Sequence, residues 1–204
     1  MEISGSSAAL HGGSGVLADR ARTGRLTAVL LTLGGTAVVG LFAQVSIPLP
    51  FTPVPLTGQT LGVLLIGAAL GPRRSAISLA IYLLAGAVGL PLYAGGASGW
   101  AAVTGPTGGY LVGFIAAAGV VGAMAARGFD RRPGTTLAAY ATGSVIIYLF
   151  GATWLAVALG IGAAEAFGLG VAPFLLGDAM KALIAAGLLP SAWRVVRRSE
   201  ERDA

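Results

Sequence analysis

The chain has no cysteine, which excludes a disulfide scaffold, a thiolate metal site and a cysteine nucleophile. Its single histidine, His11, stands near the N-terminus, so the commonest general base and metal ligand is missing from the body of the chain. Charge is scarce as well. Only 10% of the 204 residues are Asp, Glu, Lys or Arg, against roughly 25% in an average globular protein. What is plentiful is apolar: 55% of the residues are hydrophobic. The few charges fall in short clusters between long apolar stretches, as in an integral membrane protein. A net charge of +5 could point to nucleic acid, but the basic residues sit at the edges of apolar segments. That placement speaks of membrane topology, and no nucleic-acid partner is expected.

Residues 1–18 are rich in Gly, Ser and Ala without periodicity and read as a flexible tail. Residues 19–198 read as one all-α transmembrane domain, and 199–204 as a cytoplasmic C-terminal tail. Six apolar segments follow the tail: Leu26–Ile47, Thr60–Leu70, Ser75–Leu92, Thr107–Ala126, Thr135–Gly160 and Val171–Trp193. A helix crossing about 30 Å of hydrocarbon needs about 20 residues, so the second segment is short for a crossing. The first is too long for a signal-peptide core, and no clear cleavage site follows it.

Charge sets the orientation. Arg20, Arg22 and Arg25 precede the first segment, and Arg73 and Arg74 separate the second from the third. Arg127, Arg131 and Arg132 separate the fourth from the fifth, and Arg194, Arg197, Arg198 and Arg202 close the chain. The connections 48–59, 93–106 and 161–170 hold no Lys or Arg. By the positive-inside rule the basic side is cytoplasmic, which gives six transmembrane helices with both termini inside. The connection Pro48–Gln59 carries four prolines and cannot be helical. Being apolar, it is expected to dip into the bundle as irregular backbone, which membrane depth tolerates where protein surrounds it. It and the glycine-rich 93–110 read as caps over an outward-facing cavity, or as ordinary loops.

Lys181 is the remaining basic residue and the only lysine, inside the sixth segment and three residues after Asp178. Residues so spaced share a helix face. A charge buried in a membrane costs about 2.5–3.5 kcal/mol on insertion scales, so such residues face an interior and mark a functional site. The competing reading is a structural ion pair that staples one helix to its neighbours. The pair is neutral overall and suits a small polar ligand better than a proton path, for which a series of titratable groups is missing. Enzymatic chemistry is not expected. Lys181 lies in no P-loop, Asp178 has no second aspartate within an apolar segment to form a dyad, and no cofactor is called for. In the first segment Ala28, Thr32, Thr36 and Gly40 recur every four residues. They form a smooth face for close helix approach, either within the bundle or against a separate membrane subunit.

Together these residues resemble the BioY family, the biotin-binding S components of energy-coupling factor (ECF) vitamin transporters. The resemblance runs from the first helix to the end of the sixth. Its most specific parts are PVPLTGQ (53–59), GLP (89–91), GPTGGY (105–110) and GDAMK (177–181). It implies the S-component fold in a prokaryotic plasma membrane. It further implies high-affinity capture of biotin from outside, with release depending on a coupling transmembrane protein and two ATPase subunits. The resemblance assigns the ureido ring to Asp178 and Lys181, with Lys181 pairing the valerate carboxylate as the alternative. Pro106, Thr107, Gly108, Gly109 and Tyr110 would lie over the ligand, Gln59 would touch its head, and Tyr93 and Trp100 would supply apolar walls. The outer connections hold no Lys or Arg for the carboxylate. An S component for another small vitamin and a structural or channel protein remain as alternatives.

Overall fold

The computed structural model describes residues 15–20 and 24–202. Helix α1, Arg25–Gln44, has 20 residues, about 30 Å at 1.5 Å per residue. It turns Leu26, Leu30, Leu33 and Leu41 outward and buries Gly35, Thr36, Val39, Gly40 and Ala43. Lipid offers no hydrogen bonds, so buried hydroxyls must find protein partners. Thr36 Oγ1 accordingly donates to the Ser78 carbonyl at 2.9 Å, and Ser78 Oγ donates to the Thr32 carbonyl at 2.8 Å. Gly40 faces Leu92.

The proline-rich connection is ordered more regularly than expected. Strands β1, Ser46–Leu49, and β2, Thr52–Thr57, pair antiparallel. Proline cannot donate to a ladder and is confined to edges and bulges. A two-stranded ribbon consists only of edges, and the paired positions here (Ser46 with Thr57, Ile47 with Leu56, Leu49 with Thr52) avoid all four prolines. Thr52 Oγ1 pins the ribbon to the Leu169 carbonyl at 2.8 Å.

Helix α2, Gln59–Ala87, is broken at Gly71, whose φ of 79° and ψ of 177° leave the helical region just before Pro72. In a straight helix Gln59 and Tyr82 would stand about 35 Å apart. Here Gln59 Nε2 donates to the Tyr82 hydroxyl at 2.7 Å. The element therefore doubles back on itself, with Arg73 and Arg74 at the bend, and its halves correspond to the short second segment and the third. Gly122 lets the next long helix reach that bend, since a Cβ there would lie 2.5 Å from the Gly71 carbonyl carbon.

After a 3-10 turn at Ala94–Gly96 and the short α3, Trp100–Thr104, come α4, Gly108–Ala126, and α5, Pro133–Leu159. Helix α6, Ala163–Gly170, and a turn at Ala172–Phe174 lead into α7, Leu175–Arg202. Two of the three connections that lack Lys and Arg thus contain helix, and Glu165 lies in the first turn of α6. Five helical stretches, 25–44, 59–87, 108–126, 133–159 and 163–202, are long and apolar enough to cross a membrane. Helix α4 lies innermost, packed on α2 on one side and α5 on the other.

Part of each expected tail falls within the described residues. Residues 1–14 of the N-terminal tail lie outside the described residues, but Val16 and Ala18 are buried. Val16 packs beneath Gly71, and Gly15 donates its N–H to the Ala126 carbonyl at 3.3 Å. At the other terminus α7 stays helical through Arg202. One end of the molecule gathers residues 15–20, the α2 bend, the α4–α5 connection and the end of α7. They are joined by Arg74 with Asp19 (3.0 Å), Arg20 with Glu200 (2.6 Å), and the Trp193 indole N–H donating to Asp130 (2.5 Å). The opposite end gathers the β-ribbon, residues 92–107 and α6.

Candidate functional site

The ribbon end opens into a cavity of about 240 Å³ walled by β2, the first turns of α2 and α4, the middle of α5 and the start of α7. At its floor Asp178 and Lys181 form the expected pair, Nζ to Oδ1 at 2.8 Å, with only 7% and 15% of the two side chains exposed. They do not stand alone. Lys181 Nζ also donates to Thr60 Oγ1 at 2.8 Å, and that hydroxyl donates onward to Asp178 Oδ1 at 2.9 Å. The Tyr148 hydroxyl donates to Asp178 Oδ2 at 2.6 Å. A carboxylate has about four acceptor sites and an ammonium three donors. The network fills three and two of these, which leaves one acceptor position on Asp178 and one N–H on Lys181 for a ligand.

Gln59 is buried beside the pair and directs its amide N–H to Tyr82, which leaves its side-chain carbonyl as an acceptor. Tyr93 is buried, donates its hydroxyl to the Leu83 carbonyl and meets Tyr82 edge-on, with ring centroids 5.5 Å apart. Burial raises the Tyr93 phenol above its ordinary value. Tyr110 gives its hydroxyl to the Gly170 carbonyl at 2.6 Å, so it ties α4 to α6 and offers the cavity its ring. Thr107, at the head of α4, lines the cavity as well.

Four expected contacts stand elsewhere. Gly108 and Gly109 are buried in helix packing, where a Cβ would fall 1.8 Å from the Val103 carbonyl oxygen and 2.2 Å from the Trp154 Cβ respectively. Their missing side chains admit these protein contacts. Pro106 is absent from the lining, and Trp100 is 65% exposed on the surface. The stripe Ala28, Thr32, Thr36, Gly40 is divided between two environments. Thr36 and Gly40 are covered by the second half of α2 and by Leu92, whereas Ala28 and Thr32 are half-buried.

Thr60 and Tyr148 escaped sequence reasoning. The signal for Tyr148 was available, since a phenol deep in an apolar segment must find a hydrogen-bond partner. Thr60 gave none beyond its place after Gln59. On the outer flank, α5 and α7 leave a second, apolar groove of about 520 Å³, lined among others by Ser144, Leu149, Val171 and Leu175. Tyr148 and Asp178 line both spaces. Of the lining residues, these two are common to both spaces.

Residues 16–198 match the BioY family. The "Biotin transporter BioY" of Rhizobium etli is 42% identical over 165 residues, which cover 78% of this chain and 88% of that protein. The "Probable biotin transporter BioY" of Pyrococcus horikoshii is 40% identical over 149 residues, 73% of this chain and 85% of that one. The crystal structure of the "S-component for biotin from an ECF-type ABC transporter" superposes with a TM-score of 0.74 at 24% identity, over 83% of this chain and 92% of that one. That last likeness is one of fold.

Proposed function

The chain belongs to the BioY family, and on that premise we propose that it is the biotin-binding subunit of a vitamin uptake system, a transporter component and not an enzyme. The observation that carries this reading is the Asp178–Lys181–Thr60–Tyr148 network at the floor of a cavity otherwise walled by apolar and aromatic residues. A ureido ring presents N–H donors and one carbonyl. The open acceptor on Asp178, the open N–H on Lys181 and the Gln59 carbonyl complement such a head, while Tyr93, Tyr110 and Phe114 suit a thioether ring and an aliphatic chain.

In this reading the protein crosses a prokaryotic plasma membrane six times, the doubled α2 supplying two crossings, with both termini in the cytoplasm. The gathering of the described arginine-bearing segments at one end supports it. A coupling membrane protein and two ATPases energise release. Equilibrium binding of biotin to the purified protein, with thiamine and riboflavin as controls, tests the reading. Tight binding of biotin alone is expected, and Asp178→Ala or Lys181→Ala should weaken it at least a hundredfold, because each strands a buried opposite charge. Biotin binding unchanged in both variants would overturn the site.

A further inference from the structure

The cavity is electrostatically lopsided. Its two charged residues, Asp178 and Lys181, are bonded to each other at the floor. The exposed part of its wall, Pro53 and Ala97, carries no charge. The outer connections around that rim contain no Lys, Arg or His, and their one charged side chain, Glu165, is anionic and exposed. A ligand with a neutral polar head and an anionic tail can lie in this cavity in two ways. With the anion at the floor, it can take only the one N–H that Lys181 has left and must sit beside the like charge of Asp178. With the anion at the rim, the floor pair stays intact and the charge stays in water. The second arrangement is favoured, and it leaves the tail carboxylate without a cationic partner.

We propose that the site reads the head of its ligand and not the charge of its tail, so that it accepts carboxyl-modified ligands: primary amides, and amides extended by an amine such as the ε-amino group of lysine. The inference rests on the biotin reading above. An exposed charge with no ion pair contributes little to binding, and neutralising it removes little. The substrate class then includes head-group conjugates, with the appended group projecting past Ala97 into the outer medium.

The test measures dissociation constants of the purified full-length protein for biotin, biotinamide and Nε-biotinyl-lysine. All three are expected to agree within about tenfold. Tight biotin binding with both amides weakened a hundredfold or more overturns the inference and leaves the biotin reading standing. Failure of biotin itself to bind overturns both. A second variant adds the missing cation: Ala97→Arg should raise the preference for the free acid over the amide, most clearly at low ionic strength. An unchanged preference means that the tail does not lie at the rim, and overturns the inference.

Discussion

At the scale of single residues, the Tyr148 hydroxyl holds Asp178 Oδ2 while Thr60 and Lys181 share Oδ1. A hydrogen bond to a charged group is worth about 1.5–3 kcal/mol. Tyr148→Phe should therefore weaken ligand binding at least tenfold while the protein stays folded. Titration calorimetry beside a melting curve checks this, and native affinity in the variant would remove Tyr148 from the network. Asp130, in the α4–α5 connection, is 1% exposed and accepts from Trp193. Burial raises its carboxyl above the ordinary value of 3.8, against the opposing pull of the Trp193 bond and the Arg131 charge. A raised folded value means that the native state holds the proton longer than the unfolded chain. Its stabilising contribution is then full below the unfolded value and is lost as pH rises through the folded one. Asp130→Asn keeps an acceptor for Trp193 and removes the charge. Its melting temperature should exceed the native one at neutral pH, with the gap closing in acid. Asp178 and Lys181 were legible because charge is so rare in this chain. Thr60 was not, because a hydroxyl at the edge of an apolar segment leaves no pattern. Gly108 and Gly109 were ambiguous for a physical reason: a missing side chain admits a ligand and a neighbouring helix equally well.

Among the elements, α2 carries the largest consequence. Hydropathy marks its two halves, and the Arg73–Arg74 cluster marks the bend, so the short second segment was visible in the sequence. The contact that returns Gln59 to Tyr82 was not, because it joins residues far apart in the chain. Gly71 holds the bend at a positive φ, with Val16 against it. Gly71→Ala should cost about 1–3 kcal/mol in backbone strain and lower the melting temperature by several degrees. A variant as stable as the native protein would show that the bend does not need this conformation. The β-ribbon was hidden for a different reason. Alternate prolines forbid a helix and look equally hostile to a sheet, and only the register shows that they fall between the paired positions.

For the molecule as a whole, the alternation of charged and uncharged connections anticipated which segments meet at each end. The proposed orientation can be read with single cysteines, because the chain has none of its own. On intact cells, a membrane-impermeant maleimide should label Ala97→Cys and spare Arg73→Cys and Ser199→Cys. Labelling of Arg73→Cys together with Ala97→Cys would refute a crossing by the second half of α2, and the reverse pattern would invert the topology.

The wall between cavity and outer groove has its own consequence. Tyr148 and Asp178 face the cavity on one side and the apolar groove on the other. An apolar chain seated between α5 and α7 would therefore touch two residues of the binding site. Whatever fills that groove, a lipid tail or a detergent chain, leans on the tyrosine that steadies the aspartate. Two preparations of the same protein in different amphiphiles are, at this one wall, two different sites.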